Sequence, residues 1–174
     1  MLSDIQFTSL NYQLLNDGLF AAIAAIGFGS ISNVPIRIFK GCALLAAIGH
    51  AMRYLLMHAF GWNIIPAAFI GSLCIGMLAP ACGKHWRSPA EALAYPALLP
   101  MIPGMYAYRA VEGMLQCFTA TTEEQFQHAF FLSTQNGMIC VFIVILMVLG
   151  VTIPILYLVP RLKGLKTEHK QEKA

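Results

Sequence analysis

The chain has 174 residues, of which 58% are hydrophobic and 11% charged, and its mean hydropathy is +0.68. Soluble domains carry about 25% charged residues, so this composition excludes an ordinary soluble protein. The net charge of +3 comes from basic residues beside apolar stretches, which suits a membrane boundary better than a nucleic-acid-binding surface.

The apolar stretches predict an all-α integral membrane protein, because roughly 20 apolar residues cross a bilayer core. We expect five transmembrane helices, at about 14–32, 38–59, 63–82, 90–117 and 128–158. This membrane domain, 14–158, follows a short N-terminal segment, 1–13. It precedes a basic cytoplasmic tail, 159–174, which we expect to be frayed. The first residues lack the basic start of a secretory signal peptide.

Small residues form a ridge on the first predicted span. Ala21, Ala25 and Gly29 recur every four residues and share one helix face. Such faces let helices approach closely in lipid. The ridge therefore predicts packing either within this chain or against a partner.

Basic residues predict the orientation, because cytoplasmic loops carry the excess of lysine and arginine. These residues lie in the loop after the first span, in the loop after the third and in the tail: Arg37, Lys40, Lys84, Arg87, Arg161, Lys163, Lys166, Lys170 and Lys173. The N-terminal segment, the turn near Gly61 and the loop 118–127 have none. Five spans place every basic segment on one side, which predicts an outer N-terminus and a cytoplasmic C-terminus.

Ionisable side chains inside the spans are candidates for function. Five of them lie nearer the outer end of their span than the inner end: Asp17, His50, Arg53, Arg109 and Glu112. Such groups are costly in lipid and face a bundle interior or a watery cavity. Their shared depth, at which Asn136 also lies, predicts a hydrated outer vestibule or a polar interface.

Each of these residues also has a structural interpretation. Asp17 and Arg53 could extend to the outer headgroups. Arg109 and Glu112, spaced i and i+3, could form a structural ion pair. His50 could be a hydrogen-bonded helix contact.

Three prolines interrupt the fourth predicted span. Pro96, Pro100 and Pro103 each lack the N–H that would bond the carbonyl four residues back, so the carbonyls of Ala92, Pro96 and Leu99 lose their helical partners. Unpaired backbone at this depth is tolerated only against protein or water. The cluster predicts a broken helix near the middle of the membrane, although a simple kink repaired by neighbours is the alternative.

A new half-helix would begin at Pro103, since proline is favoured in a first turn. The N–H groups of Gly104, Met105 and Tyr106 would then be free at the positive end of the helix dipole, which suits a carboxylate. Transporters place such ends at the membrane midplane for anionic substrates. Arg109 would add to the attraction.

No motif predicts an enzyme, a cofactor or a metal site. The five cysteines form no C-x-x-C pair: Cys42, Cys74, Cys82, Cys117 and Cys140. The chain has no nucleophile elbow and no phosphate-binding loop.

Several stretches resemble the threonine/serine exporter family (ThrE), specifically the small subunit of its two-chain form (YjjB-like). They are "DGLFAAIAAIGFGSISNVP" at 17–35, "CALLAAIGHAMRYLLM" at 42–57 and "ALLPMIPGMYAYRAV" at 97–111, with a weaker match from Asn136 to Pro154. The family-type residues by position are Asp17, Asn33, Pro35, His50, Arg53, Pro100, Pro103, Gly104, Tyr108 and Asn136. Glu112 lies outside these motifs.

The resemblance implies a gradient-driven secondary transporter that exports small carboxylates across the bacterial inner membrane. Threonine and serine give the family its name, and the two-chain form has been linked to dicarboxylates such as succinate. A larger membrane subunit (YjjP-like) is the implied partner, and a homo-oligomer is also possible.

Combining the resemblance with the residues gives three hypotheses. In the first, the chain is a transporter subunit whose substrate-binding residues are Gly104, Met105, Tyr106, Tyr108, Arg109, Arg53 and Asn136. Asp17, His50 and Glu112 would couple protons, since imidazole titrates near neutral pH. In the second, the chain is a scaffold and the partner holds the substrate. The third is a passive channel, which the mixed charges disfavour.

Overall fold

The computed structural model describes the backbone of residues 2–171 and the side chains of residues 12–160. This part is helical and contains no strand. The α-helices are α1 (Leu2–Ile31), α2 (Phe39–His58), α3 (Ile64–Trp86), α4 (Ala90–Leu98), α5 (Gly104–Thr119) and α6 (Glu123–Gln171). Short 3-10 turns, Ile36–Ile38 and Leu99–Met101, precede α2 and follow α4.

Among residues 12–160, three helices are long and apolar enough to cross a membrane: Tyr12–Ile31 within α1, α3, and Glu123–Pro160 within α6. α2 has 20 residues, but its charged and histidine side chains lower its hydropathy. α4 and α5 have 9 and 16 residues, and each alone is shorter than the bilayer core requires. The five spans and their orientation therefore stay predictions.

The helices α1 to α4 pack with α6 into one bundle. α1 lies on α2, α2 on α3, and α3 on α6, while α4 contacts both α2 and α3. The buried side chains of these helices form one continuous hydrophobic cluster. Its largest fully buried hydrophobic side chains are Ile38, Leu45, Ile75, Leu93, Met101, Ile143, Met147 and Val151.

Glycines bring the central helices into close contact. A Cβ atom on Gly76 of α3 would lie 2.6 Å from the carbonyl oxygen of Val151 on α6. A Cβ atom on Gly71 would lie 2.8 Å from the carbonyl oxygen of Gly49 on α2. Small residues at such crossings let backbones approach, as is common between membrane helices.

The small-residue ridge of α1 packs within the chain. Ala21 and Ala25 are buried, and a Cβ atom on Gly29 would contact the ring of Phe39 and the side chain of Pro96. This packing decides between the two interpretations of the ridge in favour of the intramolecular one.

α5 packs mainly against the N-terminal half of α6, and we call residues 104–137 of this hairpin, with its loop, the α5–α6 arm. A Cβ atom on Gly113 would lie 2.8 Å from the amide nitrogen of Ser133. The Ser133 hydroxyl donates to the carbonyl of Ala110 at 2.8 Å. The arm is therefore built by close contact between its own two helices.

The tail differs from the prediction. α6 continues as a helix through most of the predicted tail as far as Gln171, with Pro154 and Pro160 inside it. Only residues 172–174 of that tail lie outside the described backbone. The polar composition indicated fraying, but straight-chain polar residues such as lysine, glutamate and glutamine are also good helix formers.

Candidate functional site

The break in the fourth predicted span is a short turn between α4 and α5. α4 ends at Leu98, the 3-10 turn Leu99–Met101 follows, and α5 begins at Gly104. Pro100 lies inside this turn and Pro103 caps α5. Pro96, which the sequence predicts to lie in the break, is instead buried inside α4. Its fixed φ is compatible with a helix, so it removes one hydrogen bond without ending α4.

The break satisfies more of its own backbone than the sequence predicted. The carbonyl of Leu99, expected to be unpaired, accepts from the amide of Ile102 at 3.1 Å. The amides of Gly104 and Tyr106, expected to be free, donate to Ile102 at 2.8 Å and to Pro103 at 3.1 Å. The prediction of three free amides for a carboxylate was wrong at these two positions, because tight turns replace the lost helical bonds.

Three predicted site residues meet beside the break. The His50 Nδ1 atom lies 3.4 Å from an Asp17 carboxylate oxygen and 3.3 Å from the Arg53 Nη2 atom. The Arg53 Nη1 atom donates to the Met101 carbonyl at 3.4 Å. We call Asp17, His50, Arg53 and the Met101 carbonyl the polar chain. It links α1 and α2 to the turn that interrupts the fourth predicted span.

A glycine on α3 makes room for this arrangement. A Cβ atom on Gly71 would lie 2.7 Å from the end of the Met101 side chain and 3.3 Å from the Cβ atom of Arg53. A larger residue would push these two side chains apart. The polar chain therefore depends on close packing of α3 as well as on its own members.

A cavity of about 500 Å³ adjoins the polar chain. Asp17 and His50 border it, together with Pro100 and Ile102 of the break and the apolar side chains Phe20, Ala21, Ala24, Phe28 and Leu99. A largely apolar cavity with a few convergent polar groups is typical of small-molecule sites.

The remaining predicted residues lie apart, on the α5–α6 arm. Four of them, Tyr106, Arg109, Glu112 and Asn136, border a second cavity of about 420 Å³. Its other lining residues are Gly113, Gln116, Leu132, Gln135 and Ile139. Asn136 is buried and donates to the Leu132 carbonyl at 2.7 Å. Within residues 12–160 no ion pair or hydrogen bond joins Arg109 to Glu112 or to another side chain, so the suggested structural pair is absent there.

Met105 and Tyr108 are exposed on the arm, 63% each, and neither borders these two cavities. Sequence reasoning missed Gln116, which lines the arm cavity. The helical spacing of Gln116, seven residues after Arg109, is a signal that could have found it. No cluster of metal-binding side chains occurs among the described residues.

Comparison with known proteins shows a match to one protein family. The family model "Threonine/Serine exporter, ThrE" matches residues 17–157. An uncharacterized protein of Haemophilus influenzae is 42% identical over 104 residues, which make up 60% of this chain and 35% of the relative. The matched part thus spans about a third of that relative's length. No solved structure matches the chain.

Proposed function

The chain belongs to the threonine/serine exporter family, ThrE, and we propose that it is one subunit of a secondary transporter for small carboxylates. The family is one of transporters rather than enzymes. The proposed subunit exports threonine and serine, or a dicarboxylate such as succinate, across the bacterial inner membrane, which it crosses several times.

The observation that supports this proposal is the polar chain beside the helix break. Arg53 contacts His50, which in turn contacts the carboxylate of Asp17. Arg53 also donates a hydrogen bond to the Met101 carbonyl in the break. A charged network joined to interrupted backbone at a cavity is the arrangement that secondary transporters use for substrate and ion sites. Here Arg53 would attract the carboxylate, and Asp17 and His50 would carry protons.

The arm supplies the other proposed contacts. Arg109 and Asn136 border the second cavity and would hold the substrate's polar groups, with Tyr106 beside them. Glu112 in the same cavity would exchange protons. The arm residues also proposed for the substrate are Gly104, Met105 and Tyr108. Two separate cavities would form one pathway once a partner covers them.

That partner is the larger membrane subunit (YjjP-like) of the same family. The arm exposes many large apolar side chains, including Met114, Leu115, Phe118, Phe130 and Phe131. The arm also carries the cavity that Arg109, Glu112 and Asn136 border, and polar groups at membrane depth need protein or water beside them. The relative's greater length is consistent with a fused second half.

Proteoliposomes test the proposal directly. The chain would be reconstituted with and without the larger subunit, and uptake of labelled serine, threonine and succinate measured under an imposed pH gradient. We expect uptake only with both chains, and its loss on addition of an uncoupler. No uptake in any preparation would contradict the transporter assignment.

A scaffold role is the second candidate, and the arm favours it. Arg109 and Glu112 are exposed and touch no other helix through an ion pair among residues 12–160, as expected for groups that await a partner. In this case Arg53→Gln and Arg109→Gln would weaken assembly with the larger subunit while uptake by the assembled fraction stays normal. A transporter role predicts intact assembly and lost uptake.

A further inference from the structure

One nitrogen atom in the polar chain has two neighbours that it cannot satisfy together. The Nδ1 atom of His50 faces the Asp17 carboxylate and the Arg53 guanidinium at 3.4 and 3.3 Å. A ring nitrogen with a proton donates, and one without a proton accepts. A guanidinium can only donate and an ionised carboxylate can only accept. Each state of Nδ1 therefore suits one neighbour and not the other.

We propose that His50 is a proton-operated switch that controls how firmly Arg53 holds the helix break. When His50 is neutral with its proton on Nε2, Nδ1 accepts a hydrogen bond from Arg53. When His50 is doubly protonated, Nδ1 donates to Asp17, and two positive charges face each other. Their repulsion moves the guanidinium away and loosens its bond to the Met101 carbonyl. Arg53 is thus a positioning residue for the break.

The other ring nitrogen of His50, Nε2, has no hydrogen bond among the described residues that would fix where the ring carries its proton. His50 is 4% exposed, and its Nε2 atom is buried without a hydrogen-bond partner among the described residues. In most proteins the second ring nitrogen is bonded, and that bond fixes the tautomer. Here no such bond fixes the tautomer, so the neutral ring either accepts from Arg53 or, with its proton on Nδ1, donates to Asp17. The doubly protonated ring can only donate, so protonation removes the one state that accepts from Arg53.

Few other charges act on this histidine. α1 contributes Asp17 and α2 contributes Arg53, whereas the turn Leu99–Met101 has no ionisable side chain. The acidic, basic and histidine side chains of α3 and α4 lie far along their helices from the break: Lys84, His85 and Glu91. His58, two turns further along α2, contacts the carbonyl of Tyr54 and lies near enough to Asp17 to interact with its charge. Protonation of His50 is therefore felt mainly by the polar chain.

Amide hydrogen exchange measures the state of the break without requiring transport. The chain would be placed in lipid nanodiscs with any subunit that co-purifies, and exchange of residues 99–106 followed from about pH 5 to pH 8, where histidine titrates. The reference is His50→Gln, whose amide has no charge and can serve both neighbours. Dividing by this reference at each pH removes the intrinsic pH dependence of exchange.

We expect the exchange rate of residues 99–106, divided by the rate in His50→Gln at the same pH, to rise roughly tenfold as the pH falls. This is the effect of losing a charge-assisted hydrogen bond. His128→Gln, which removes an exposed histidine on α6, should keep the rise. Arg53→Gln should give fast exchange at every pH, with no further change when His50→Gln is added. Arg53→Lys, which keeps the charge, checks that loss of packing is not the cause.

A ratio that stays flat with pH, or a rise that persists in Arg53→Gln, would overturn the switch. The inference rests on the proposed function, in which Asp17 and His50 carry protons, but the two can fail separately. Exchange that follows the expected pattern without uptake in proteoliposomes would leave the switch and remove the transporter. Uptake together with an exchange ratio that stays flat with pH would keep the transporter assignment and remove the switch.

Discussion

The position of the polar chain depends on Gly71, a residue that has no reactive or polar side chain of its own. Gly71 contributes no side chain, yet Met101 and the Cβ atom of Arg53 occupy the space where one would lie. Asp17, His50 and Arg53 could be predicted as interior polar groups because apolar spans make them conspicuous. The role of Gly71 could not, since it depends on where another helix crosses.

Gly71→Ala should therefore destabilise the protein by about 1–3 kcal/mol, the usual cost of overpacking a tight contact. The added methyl would meet Met101 and the carbonyl oxygen of Gly49 at 2.7 and 2.8 Å. Thermal unfolding in detergent measures the change. Gly27→Ala is the matched control, because a Cβ atom there has nothing within 4 Å. Equal melting temperatures for the two variants would contradict this account.

At the scale of an element, the break between α4 and α5 is a sharp turn that closes most of its own hydrogen bonds. Proline chemistry predicted the interruption, and in the structure Pro100 lies in the turn after α4 and Pro103 precedes α5. It could not predict that Ile102 would pair on both sides, because that depends on the dihedral angles of one turn. The separation of Arg109 from Arg53 was likewise hidden, since helical spacing fixes faces within a helix and not the path between helices.

Restoring a continuous helix should abolish the site while sparing the fold. The double variant Pro100→Ala and Pro103→Ala allows α4 and α5 to join, which moves Met101 away from Arg53. We expect uptake in proteoliposomes to fall about a hundredfold, the cost of misplacing groups by roughly 1 Å. Pro96→Ala serves as the control, because Pro96 already lies within α4. Unchanged uptake in the double variant would show that the break is only architecture.

At the scale of the whole molecule, the chain has a packed bundle and an arm that packs mainly on itself. The sequence predicted five membrane crossings with the acidic turn after α5 outside. The arm could not be foreseen, because helical spacing within α5 and α6 does not show that α5 packs on α6 rather than on the bundle. The exposed position of Glu124 at the start of α6 allows the orientation to be measured.

Glu124→Cys should react with a membrane-impermeant maleimide added to intact cells, whereas Lys84→Cys at the end of α3 should react only after lysis. Both positions are exposed, so access to the reagent decides the result. The native thiols, none of which is exposed, give the background in the unaltered chain. Labelling of Lys84→Cys in intact cells would reverse the predicted orientation or change the number of spans.

α6 is one helix of 49 residues that belongs to both bodies. Its C-terminal half is fixed against α3 through Gly76 and Val151, and its N-terminal half carries α5 through Gly113 and Ser133. The rotation of the arm around the bundle is therefore set by the number of residues in α6, together with the turn Leu99–Met101 that joins α5 to α4. One residue inserted between Gly137 and Met147 would turn the arm by about 100°, as 3.6 residues per turn requires. Both bodies would keep their internal packing, but the arm cavity would point in a new direction.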